Sequence, residues 1–186
     1  GPAGPLPVTA AGADRYEIRM PLPGTARLLL AEPPETELPL DLITAPRLVA
    51  LVGANGIEQP PSGFAQAMPA EATVGGVTRR ALSTHPPNHG RIVVDYILRL
   101  PETPARLEAQ VGIRDGSASK GVGFAVEVNG GPHWVAHLLP GHPWQPVQVD
   151  LSRFAGQVVV LSLVADSLGT YEFDWAVWAE PKIVAR

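Results

Sequence analysis

Cysteine is absent from the 186 residues. Its absence excludes disulfides, thiolate metal sites and a cysteine nucleophile. Lysine is nearly absent, with Lys120 and Lys182 set against twelve arginines, and the formal net charge is -4. No basic field is available to hold a phosphate backbone, so nucleic acid is not an expected partner. The charges are scattered and form neither an acidic nor a basic run. No apolar run approaches the roughly 20 residues of a membrane-spanning helix, and no stretch has the layout of a signal peptide. Gly1-Pro2 reads as the scar of tag removal, so the chain is expected to be a piece cut from a larger protein. Long amphipathic helices are also missing, because 21 prolines cut the chain into short pieces.

What is present is enough apolar material for one core. At 45% hydrophobic residues and this length, one globular domain is expected rather than two. The small, Pro-rich residues 1–13 read as a flexible lead-in. Residues 14–186 are expected to form a single sandwich domain. Two strands are expected at 15–20 and 25–31, around the turn Pro21-Leu22-Pro23-Gly24, and residues 53–72 are expected to be a long surface connection. The rest of the chain alternates clearly. Ile92, Val94, Tyr96, Leu98 and Leu100 share one face of a strand, while Arg91, Asp95 and Arg99 lie on the other. Leu107 to Ile113 and Val122 to Val128 repeat the pattern, and Asn129-Gly130-Gly131 supplies a hairpin turn. Return strands follow at 133–139, 146–151 and 158–165, with a closing segment at 171–179. Many short strands separated by Gly- and Pro-rich turns define an all-β fold, an antiparallel two-sheet jelly-roll-like sandwich.

Chemistry-bearing residues are few. His85 and His89, like His133 and His137, are four apart, the spacing of a zinc pair on a helix. Pro86-Pro87 stops any helix, and on a strand residues 133 and 137 lie about 13 Å apart. Neither Ser83 nor Ser117 sits in a nucleophile elbow. The glycines at 121, 123, 130 and 131 precede no helix, so they form no phosphate loop. A glycosidase needs two placed carboxylates, and none are paired by the sequence. No enzyme is expected.

The close of the chain carries a resemblance. Asp150-Leu151-Ser152, Phe154-Ala155-Gly156 and Asp174-Trp175-Ala176-Val177-Trp178-Ala179-Glu180-Pro181, with the Gly123–Gly130 segment upstream, resemble bacterial carbohydrate-binding-module-like β-sandwich domains over about residues 74–184. The resemblance implies a non-catalytic accessory domain of an extracytoplasmic or surface protein with a glycan partner. It also implies that a structural calcium is possible, with Asp166 and Asp174, and also Asp115, as carboxylates able to serve it. Aromatic faces suit sugar rings. Trp134 and Trp144, near turns and flanked by polar residues, are the first ligand candidates, followed by Trp178. His133, His142 and Asp115 are candidate hydrogen-bonding partners. On the closing segment, Tyr171, Phe173, Trp175 and Val177 are expected to face the core, and Asp174, Ala176 and Trp178 to face away. The alternative is a structural or protein–protein interaction domain with no sugar ligand. Tryptophans converging on one open face favour sugar; scattered or buried ones favour the alternative.

Overall fold

The structure, a computed structural model, describes residues 8–12, 15–18, 33–170 and 172–186. The chain divides into two compact units, Gly1–Leu30 and Ala31–Arg186. In the first, β1 (Val8–Gly12) and β2 (Arg15–Ile18) pair as an antiparallel two-stranded sheet. Val8–Gly12 falls within the expected lead-in and is instead a paired strand. The strand expected at 25–31 lies outside the described residues, as do the surroundings of the Ile18, Leu28 and Leu30 side chains.

The second unit is a two-sheet antiparallel sandwich. Its strands are β3 (Leu40–Asp41), β4 (Leu48–Gly53), β5 (Glu58–Gln59), β6 (Ala67–Val74), β7 (Val77–Thr84), β8 (Gly90–Arg99) and β9 (Ala105–Ile113). They continue with β10 (Val122–Val128), β11 (Gly131–Leu138), β12 (Gln145–Asp150), β13 (Val158–Asp166) and β14 (Ala176–Ala185). One sheet runs β11-β10-β13-β8-β4-β5; the other runs β12-β9-β14-β7-β6, with β3 beside β14. From β8 to β9, β11 to β12 and β13 to β14 the chain crosses between the sheets, which is the jelly-roll-like habit expected from the sequence. Among the described residues the only helical turn is the 3-10 segment Ser152–Phe154.

Period-two alternation builds the core. Ile92, Val94, Tyr96, Leu98 and Leu100 are buried, as are Leu107, Ala109, Val111 and Ile113, and Val122, Phe124, Val126 and Val128. Each set lines the space between the sheets. Trp178 is fully buried among them. The Phe124 and Trp134 rings approach its indole edge-to-face, with centroids 5.7 and 6.3 Å away. Tyr96 is also fully buried, and its hydroxyl donates to the Leu42 carbonyl at 2.8 Å. That bond ties the turn after β3 to the centre of β8.

A second, smaller core lies on the outer face of the β12-containing sheet. β7 pairs with β14 only over Ala81–Ser83. The β6–β7 hairpin brings Ala72, Val74 and Ala81 against Val177 and Ala179, with Trp144 packed alongside. Its tip is the two-residue turn Gly75-Gly76, both at positive φ (57° and 76°), the conformation that tight hairpins need and glycine supplies. Val74 lies directly over Gly112, where an added Cβ would come within 2.8 Å of the valine side chain. Residues 67–72, expected to be loop, are therefore strand.

The closing segment also departs from the expected pattern. Residues 167–170 and 172–175 lie outside the strands, with Leu168 and Phe173 at positive φ, so no single alternation runs through the segment. Ala176 and Trp178 face the main core, and Val177 and Ala179 face the smaller one. Phe173 is 49% exposed, Trp175 is half-buried, and Tyr171 lies outside the described residues.

Phe124 is 2% exposed at the centre of β10. Phe124→Ala is expected to cost about 3–5 kcal/mol in denaturant melts, the range for truncating a buried aromatic. A loss below about 1 kcal/mol would show that the ring does not support the core.

Candidate functional site

Most of the expected ligand residues turn out to hold the frame. Trp178 has no exposed surface and presents no face to a ligand. Trp144 is half-buried on the smaller core, and its indole N–H donates to the Val77 carbonyl at 2.9 Å. It clamps the hairpin from one side. Asp115 holds the tip from the other, accepting from the backbone N–H of Gly75 (2.8 Å) and Gly76 (2.9 Å). Trp134 pairs with Val126, which turns it inward, and it packs partly buried on the main core. The tryptophans therefore do not converge on an open face. His142 stands exposed on the turn after β11. His133 sits at the other end of that strand, in the bulge between Val126 and Glu127. There its Nε2 accepts from Arg153 at 2.6 Å. Burial, and then the charge of Arg153, hold its pKa below the usual histidine value.

Asp166 closes a local turn, accepting from the Leu168 N–H at 2.8 Å. Asp174 is fully buried. Its Oδ1 accepts a hydrogen bond from the Ser119 hydroxyl, and its Oδ2 has no hydrogen-bond partner among the described residues. Burial raises its pKa; the Ser119 bond and the charge of His85 oppose the rise, and Asp166 adds to it. Calcium usually takes six to eight oxygen ligands. Among the described residues no three acidic or imidazole side chains gather to hold a metal ion.

An open concavity lies elsewhere, at the end of the sandwich where β4 runs out and β8 begins. A cleft of about 620 Å³ is lined by Asn55, Gln59, Ser62, Phe64, Asn88 and His89, with Gly53, Ala54, Gly63 and Pro87 in its walls and Leu51 and Ala65 at its base. Its loops are braced from within. Asn55 Oδ1 accepts from the Ile57 N–H, Ser62 and Ala65 exchange backbone bonds, and Gln66 Nε2 donates to the Gly63 carbonyl. Gly90 lets β8 start against β4, since an added Cβ would lie 2.4 Å from the Val52 carbonyl oxygen. Phe64 is 53% exposed and meets the His85 ring edge-to-face at 4.8 Å. Side-chain amides, a hydroxyl, an imidazole and a half-exposed ring are thus collected in one hollow. No carboxylate is among these described lining residues. Sequence reading passed this site over. Its one signal was a lone aromatic, Phe64, within a stretch of Gly, Pro, Ser and Gln.

The sandwich is similar in fold to solved domains named as carbohydrate-binding modules. The CBM51-2 and INT domains of ZmpB from Clostridium perfringens, one structure of which contains GlcNAc, superpose with TM-scores of 0.56 and 0.55 at 19% identity. They cover 80% and 78% of this chain, which spans about a third of their own length (32% and 31%). The tandem CBM51 modules of a family 98 glycoside hydrolase from Streptococcus pneumoniae superpose with a TM-score of 0.55 at 11% identity. That match covers 92% of this chain and 54% of the other. At these identities the likeness establishes the fold. No family model matches the sequence, and no curated protein matches it.

The raised pKa of Asp174 means that the folded state prefers its protonated form. That preference stabilises the fold at low pH and is lost as pH rises through the folded pKa, leaving a buried anion. Asp174→Asn keeps an acceptor for Ser119 and removes the charge. Its melting temperature at neutral pH is expected to equal or exceed that of the parent, with the difference vanishing in acid. A marked drop at neutral pH would show that the carboxylate has a partner of its own.

Proposed function

We propose that this chain is a non-catalytic glycan-binding accessory module of a larger extracytoplasmic or surface protein, and that the cleft between 51–65 and 87–89 receives the sugar. The observation that carries this reading is the composition of the cleft. The amides of Asn55, Gln59 and Asn88 and the Ser62 hydroxyl both donate and accept, as a sugar hydroxyl does. Phe64 offers a ring against which C–H edges pack, and a few polar groups around an apolar platform fix orientation. The fold supports the reading, since the similar domains are named as carbohydrate-binding modules and one is described with GlcNAc. The placement outside the cytoplasm rests on the bacterial proteins in which those domains occur. The absence of a carboxylate from the described lining supports a binding role over glycoside hydrolysis, which needs two.

A structural or protein-interaction role is the second reading, and the scattered tryptophans favour it. Calcium, if resident, draws on Asp174 Oδ2; a melting temperature lowered by EDTA and restored by calcium is the sign of it, and an unchanged one leaves Asp174 a buried acid.

Glycan-array retention of the chain and of Phe64→Ala separates the two main readings. The variant is expected to lose at least about tenfold in affinity, about 1.4 kcal/mol, with its melting temperature unchanged. Failure of the parent to retain any glycan would favour the interaction-domain reading, and equal retention by the variant would place the sugar outside this cleft.

A further inference from the structure

The opposite end of the sandwich carries a second cluster that the cleft does not use. The 3-10 turn Ser152–Phe154 follows β12 and seats Phe154 partly buried against the main core. Arg153 lies over that ring, its guanidinium carbon 4.7 Å from the centroid. His133 meets the same ring edge-to-face at 5.4 Å and accepts from Arg153 Nη2. Gln157 Nε2 donates to the Arg153 carbonyl, which holds the turn and leaves the amide oxygen of this exposed residue available.

Arg153 is one of three arginines without a carboxylate partner among the described residues; of the others, Arg47 donates to the Ile43 carbonyl and Arg114 lies over the Trp175 ring. Arg79, Arg80, Arg91, Arg106 and Arg186 are paired with Glu180, Asp41, Glu127, Glu108 and Asp150. Among the described residues no carboxylate pairs with Arg153, whose partners are two rings. The aromatic seat and the histidine acceptor hold the guanidinium in one orientation, so little freedom is left to lose when its planar fork meets an anion. A carboxylate is the anion whose two oxygens match that fork. The groups beside it, His133 and Gln157, suit hydroxyls rather than an apolar peptide side chain.

We propose that Arg153, with His133 and Gln157 beside it, forms a second binding site that recognises the carboxylate of an acidic sugar residue. The proposal extends the glycan reading to a different place on the molecule and to a charged ligand.

The test is a titration of the full chain with glucuronate, glucose and acetate, followed by histidine-ring NMR and calorimetry. His133 reports on the proposed site, and His85 and His89 report on the cleft. Glucuronate is expected to shift the His133 ring signals and to bind at least about tenfold more tightly there than glucose or acetate. Arg153→Gln is expected to weaken glucuronate by about tenfold or more, the effect of losing a charge-assisted pair, with an unchanged melting temperature. Phe64→Ala is expected to leave it intact. Equal binding of glucose, equal binding of acetate, or no effect of Arg153→Gln would overturn the proposal. Sugar shifts confined to His85 and His89 would also overturn it, while leaving the cleft reading in place.

Discussion

Everything in the sandwich depends on two sheets turning their apolar faces to each other around one buried indole. Trp178 sits where β14 crosses the middle of its sheet, opposite Val111 on β9 and Leu82 on β7. Phe124 and Trp134 reach it from the other sheet. Aromatic contacts of this kind add direction to what is otherwise non-directional burial. The cost is an indole N–H without a hydrogen-bond partner among the described residues, a penalty that the surrounding burial must offset.

The same chemistry recurs at smaller scale on the outer face. Trp144, Asp115 and the glycines at 75, 76 and 112 are one device for laying a hairpin across a sheet. The tryptophan supplies packing and a donor, the carboxylate collects two backbone N–H groups, and the glycines permit the turn and the close approach. Residue types that suggest ligand binding when seen singly in the sequence are here engaged in holding backbone. With these side chains committed to the frame, the proposed function places recognition on the loops at the sandwich ends, which is the usual division between scaffold and loops.

How far the sequence reveals this depends on the face. Strands with one buried and one wet face, such as 92–100 and 107–113, announce both their existence and their inward residues by alternation. β14 is buried on both faces, so alternation is silent there and the orientation of Trp178 was read backwards. β6 was missed because Ala67–Val74 has little β-branched content and contains Pro69, although the Gly75-Gly76 pair between Val74 and Val77 was a hairpin signal. The cleft was illegible for a different reason. Its residues come from loops far apart in the chain, and no local pattern links Asn55 and Phe64 to Asn88. The resemblance of the closing segment pointed to the right architecture without pointing to the site.

The central claim is that the tryptophans build the frame while the loops at the end of β4 and the start of β8 meet the ligand. Backbone and indole N–H resonances followed together during titration with a glycan the chain retains test it most directly. The account expects shifts in the amides of 53–65 and 87–89, with the indole signals of Trp144 and Trp178 unmoved. Shifts centred on those indoles, with the loop amides silent, would contradict it.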